Sequence, residues 1–121
     1  MAAKKPLITA KPQPSGEIVV DIDEGKIRTA AYLLAQQKKS YNDYIWLLAE
    51  ADLKLSKALS EPLKAGIMSI KLNPSKIIDA PLQSDIKKLA EILVKQGVKI
   101  QELHWFIAIR NILIEEAKRN K

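Results

Sequence analysis

YNDYIWLLAEADLKLSKAL, residues 41–59, decides how the rest of the chain is read. Wound as a helix, it sets Tyr41, Tyr44, Ile45, Leu48, Ala51, Leu55 and Leu59 on one stripe at the i, i+3, i+4, i+7 spacing of an amphipathic helix. Ser40 stands at the N-cap position, Asp43 follows three residues later as an acidic variant of the capping box, and Pro62 bars continuation past Leu59. Trp46, Leu47 and Leu53 fall off the stripe, so the pattern predicts a helix covered from two sides.

Working outward, the chain matches itself at one offset. Trp46 and Trp105, the two tryptophans, are 59 residues apart. At that spacing Ile27, Ala31, Leu33, Leu34 and Gln37 fall on Ile86, Ala90, Ile92, Leu93 and Gln96. Likewise Tyr41, Asn42 and Asp43 fall on Ile100, Gln101 and Glu102, and Leu47, Leu48 and Ala49 on Phe106, Ile107 and Ala108. Shared helical periodicity supplies part of such a match, but its continuity without a gap points to two helical hairpins of one design.

The remaining segments fit around these hairpins. Residues 1–22 read as an extended arm: Pro6, Pro12 and Pro14 exclude a helix, and the short apolar centre Ile18, Val19, Val20 is expected to have no pairing partner in the chain, so that it lies on the chain's own helices or reaches a neighbouring subunit. The first long helix is expected over Asp23–Lys38, capped by Asp21 or Asp23 and joined to the next by a tight turn near Lys39 and Ser40, as an antiparallel pair. Residues 60–81 form a connector in which Glu61–Leu72 favours a short helix, although Met68, Ile70 and Leu72 also fit strand alternation. A third helix is expected over Leu82–Gln96 with Gly97 as its stop, and a last one over Ile100–Arg119, apolar almost all round its middle. The fold class is therefore all-α: a four-helix bundle of two repeated hairpins, 23–59 and 82–119, with an extended N-terminal arm.

Composition narrows the function classes. A chain of 121 residues with 47% hydrophobic content holds one domain with a core. The absence of cysteine removes disulfides, thiolate metal sites and thiol nucleophiles together. No stretch reads as a signal peptide or transmembrane segment; the apolar run Trp105–Ile114 is interrupted by Arg110 and Asn111. The formal charge of +6 makes a polyanion or an acidic surface a natural neighbour. Lys87, Lys88, Lys95 and Lys99 gather on and after the third helix, where they are candidates for nucleic-acid contact or a solvated face.

Catalytic chemistry finds little support. His104 is the single histidine, with no second ligand or nucleophile partner, and reads as structural. Glu50 and Asp52, like Glu115 and Glu116, point apart on a helix and cannot work as an acid–base pair. No glycine-rich phosphate loop is present, and neither an enzyme activity, a cofactor nor a metal is expected. Arg110, set within the most apolar helix, is expected to form a buried or interfacial ion pair rather than to contact a polyanion. LAEILVKQGVKIQEL raises a helix-turn-helix, but Ala90 lies seven residues before Gly97 and the second helix would present Trp105, Phe106 and Ile107 instead of base-reading polar groups.

Tyr41-Asn42-Asp43 followed by Leu48-Ala49, preceded by the Ala31–Leu34 helix, resembles the major coat proteins of the large, tailed, spindle-shaped viruses of hot-acid archaea. The likeness covers mainly residues 25–59, with a few-residue gap between Leu34 and Tyr41. It implies a small helical protein, repeated in identical copies as the virion shell, and located in host cytoplasm before assembly. From the residues, the expectation is a self-assembling structural subunit that meets its copies through Ile18, Val19, Val20, Trp46, Leu47, Leu53, Trp105, Phe106 and Ile109. The alternative is a small basic helical DNA-binding protein that uses Lys87, Lys88, Lys95 and Lys99 for non-specific phosphate contacts.

Overall fold

The helices start and stop where short-range chemistry dictates. The computed structural model describes residues 16–59 and 69–119. Along them run β1 (Ile18–Asp21), α1 (Glu24–Gln36), α2 (Tyr41–Leu55), β2 (Ser69–Leu72), a 3-10 turn (Pro74–Lys76), α3 (Gln83–Gln96) and α4 (Ile100–Arg119). Asp23 Oδ1 accepts from the Gly25 N–H at 2.8 Å and Ser40 Oγ from the Asp43 N–H at 3.1 Å, satisfying donors that a helix start leaves open. α4 uses the other half of the capping box: Glu102 Oε1 accepts from the Lys99 N–H at 3.1 Å. Both α1 and α3 end at a left-handed residue, Lys38 with φ 52° and Gly97 with φ 71°.

α2 stops at Leu55, short of the expected Leu59. Backbone donors from the later connector meet the chain there: Ile78 N–H donates to Lys54 O in the last turn at 3.0 Å, and Asn73 N–H to Ala58 O just past the helix at 2.8 Å. Leu59 then forms a bridge with Leu72 and continues the edge of a sheet.

That sheet corrects the all-α expectation. Among the described residues the protein is mostly helical, with four α-helices, but β1 and β2 pair antiparallel, Ile18 opposite Leu72 and Val20 opposite Ile70. Strand alternation prevails over helix at residues 69–72 because Ile70 and Leu72 are buried while Ser69 and Lys71 face outward. β1 thus has its partner inside the chain, contrary to the reading of residues 1–22 as one extended arm. Ile18 is 3% and Val20 1% exposed, so their burial is completed by the chain's own core and not by a neighbour. The proline-rich stretch 1–15 and the rest of the short helix expected over 61–68 lie outside the described residues.

The helices do not pack chiefly with their sequence neighbours. α4 lies against α1 and α2, and α2 lies also against α3. The expected antiparallel pairing of α1 on α2 is therefore not the main contact; each leading helix leans on the second helix of the other pair. A 59-residue shift turns α1 into α3 and α2 into α4, and converts the α1–α4 contact into the α3–α2 contact. Burial follows the same shift: Ile27 and Ile86, Tyr44 and Leu103, Leu48 and Ile107, Ala49 and Ala108, and Leu55 and Ile114 are all buried. The paired alanines allow close approach of α2 and α4, and fully buried Leu103 and Ile107 each contribute about 1.5–3 kcal/mol.

Candidate interaction surfaces

The side chains that sequence places at subunit contacts separate into three groups. Ile18 and Val20 are inside, and Val19 between them is half-buried. Leu47, Trp105, Phe106 and Ile109 are half-buried and packed against the core, and Leu53 is half-buried. Trp46 alone is openly presented, at 37% exposure.

Larger exposed side chains lie on the two outer helices, where sequence reading placed no contact. Tyr32 and Leu33 on α1 are 63% and 57% exposed, and Ile92 and Val94 on α3 are 50% and 46% exposed. Leu33 and Ile92 occupy equivalent places under the 59-residue shift. The signal was present in the alignment of the chain with itself, since each sits beside the buried stripe of its helix and not on it. Val94 is exposed on α3, a helix of which only Ile86 is fully buried.

Between α2 and α3 runs an open groove of about 750 Å³. Ile45, Trp46, Ala90 and Val94 make its apolar wall, and Asn42, Lys87, Glu91 and Lys95 its polar margin. The helical periodicity of α3 brings Lys87, Lys88 and Lys95 within one outward arc, opposite buried Ile86. These three and Lys99 are exposed, and among the described residues none of the four takes part in an ion pair. The structure thus joins Trp46 with Lys87 and Lys95, which sequence assigned to different surfaces.

Two other singled-out residues are absorbed by the fold. Arg110 Nε lies 2.9 Å from Asp52 Oδ1, and its guanidinium also donates to Phe106 O at 3.1 Å. The ion-pair reading of Arg110 holds, with Asp52 as its partner instead of a purely solvated carboxylate. His104 packs edge-on against Tyr44 with ring centres 4.6 Å apart, and its Nε2 is buried with no hydrogen-bond partner. Among the described residues no group of three or more metal-capable side chains gathers, and no helix is long and apolar enough to cross a membrane. In α4, the second helix of the stretch that raised a helix-turn-helix, Leu103, Ile107 and Ala108 are buried in the core.

No protein-family model, curated protein or solved structure matches this chain. The functional reading therefore rests on its own residues.

Proposed function

We propose that the chain is a structural subunit, a helical bundle of two repeated hairpins that assembles with identical copies into a shell or tube of the viral-coat type. The observation that carries this is the pair Leu33 and Ile92, large apolar side chains left 57% and 50% exposed at equivalent places on α1 and α3. One exposed apolar side chain is ordinary on a soluble protein. Two at repeat-related positions give one subunit two like faces, and a subunit with two like faces adds neighbours on both sides, forming an open strand unless the rotation closes a ring. Tyr32, next to Leu33 and 63% exposed, adds apolar surface to the α1 side. Each buried side chain of this size is worth about 1.5–3 kcal/mol, a gain repeated at every contact of a lattice. The virion setting comes from the likeness of residues 25–59 to spindle-shaped virus coat proteins.

Sedimentation velocity and negative-stain microscopy of the concentrated protein test this. Extended particles are expected from the native chain, shorter ones from Leu33→Asp or Ile92→Asp, and monomers from the double variant. A native chain that stays a monodisperse monomer at high concentration would falsify the assembly reading.

A further inference from the structure

We propose that the groove between α2 and α3 is a binding site for single-stranded nucleic acid, with a base stacked on Trp46 and the backbone phosphates held by Lys87 and Lys95. This is independent of the self-assembly reading, whose contacts are placed on Leu33 and Ile92.

Charge defines one half of the occupant. Lys87 and Lys95 border the groove, eight residues apart on one helix, which separates their backbones by about 12 Å along its axis. Lys88 lies on the same outward arc, and none of the three is neutralised by an ion pair among the described residues. Glu91 stands between the two rim lysines and is the one carboxylate at the margin, so the rim keeps an excess of one positive charge, with Lys88 adding to it. A ligand with negative charges repeated along its length fits such a rim better than one with a single anionic group.

The wall defines the other half. Among the described residues Trp46 is the one aromatic side chain that lines the groove, and its partly exposed indole, with Ala90 and Val94 also on the wall, offers an aromatic apolar surface beside the rim lysines. Bases have flat π faces, and stacking on an aromatic side chain next to a basic track is the usual way unpaired strands are held without sequence preference. A duplex supplies the phosphates but keeps its bases inside the stack, out of reach of Trp46. An acidic peptide or an anionic membrane supplies charge, but neither brings a regular series of flat rings.

The test is a titration of the full chain, in a Trp105→Phe background so that Trp46 is the sole fluorophore, with a short oligothymidylate. Matched duplex, polyglutamate and phosphatidylglycerol vesicles serve as competitors. Quenching of Trp46 is expected, with a log–log salt slope of about −2 for three phosphate contacts on a single strand. Lys87→Ala with Lys95→Ala should flatten that slope by about 1.4 without touching the core, and Glu91→Gln should tighten binding. In the Trp105 background's parent chain, Trp46→Ala should weaken binding about five- to a hundredfold by anisotropy of a labelled strand, with Trp46→Phe largely restoring it. Absence of binding, equal or better binding of the duplex, displacement by polyglutamate or vesicles as readily as by the strand, or affinity unchanged in Trp46→Ala would each overturn the assignment.

Discussion

The α1–α2 pair and the α3–α4 pair start 59 residues apart and turn on the same backbone geometry, yet the first is latched and the second is not. Tyr44 Oη donates to Leu34 O at 2.5 Å and accepts from the Lys39 N–H at 3.2 Å, tying α2 to the end of α1. The equivalent residue on α4 is Leu103, which fills the same buried place but carries no hydroxyl. Leu34 is buried, whereas its counterpart Leu93 is only half-buried and neighbouring Val94 is exposed. A hydrophobic core accepts leucine for tyrosine as long as the space is filled, but the directional bond that closes the turn is lost. α3 leans instead on α2, and Tyr41 Oη bonds Val98 O at 2.5 Å from across the molecule. The looser pair supplies α3, the lysine-bearing side of the open groove.

Substitutions at matched positions can break this comparison. The largest effect is expected at the shared core position: Leu48→Ala and Ile107→Ala, both nearly fully buried, should each cost about 2–5 kcal/mol in chemical denaturation. A loss confined to one of the two would show that only one pair builds the core. Next comes the Arg110–Asp52 ion pair, which joins the halves. Asp52→Ala leaves Arg110, whose side chain is 16% exposed, without its carboxylate, and should cost about 1.5–3 kcal/mol, towards the lower end because Asp52 itself is 41% exposed. Asp52→Asn, which keeps an acceptor, should lose less; equal losses would mean that charge rather than hydrogen bonding is what Arg110 requires.

Smaller effects sharpen the contrast between the turns. Tyr44→Phe should cost about 0.5–1.5 kcal/mol, since Leu34 O retains its bond from the Gln37 N–H while the Lys39 N–H loses its acceptor. Hydrogen exchange at the end of α1 should rise in this variant while α3 stays as it was. The smallest pair concerns the left-handed residues. Lys38 carries a side chain at φ 52°, where glycine is favoured, so Lys38→Gly should be neutral to stabilising by about 1 kcal/mol. Gly97→Ala meets no atom within 4 Å and should cost about 1 kcal/mol through backbone strain alone. Thermal melts moving in opposite directions, by on the order of 4 °C, would establish that both turns keep the left-handed form.

What the sequence by itself determined here is local. Ser40 and Asp43 mark the start of α2, Gly97 the end of α3, the 59-residue offset reproduces both helix starts, and an arginine in an apolar helix announces an ion pair. Capping and helical spacing act within about a turn or two of chain, so neighbouring residues suffice to encode them. The pairing of β1 with β2 belongs to tertiary structure, because residues 18–21 read as a short strand without a partner and residues 69–72 as the end of a helix with strand alternation as the alternative, and only their meeting satisfies both backbones. The exchange of partners between the helix pairs does too: an apolar stripe states that a helix has a partner but not which one, and alanines at positions 49 and 108 let α2 and α4 approach wherever the connector brings them together. The groove has no sequence signature at all, since Trp46 and Lys87 are far apart in the chain and become one surface only when α3 lies along α2.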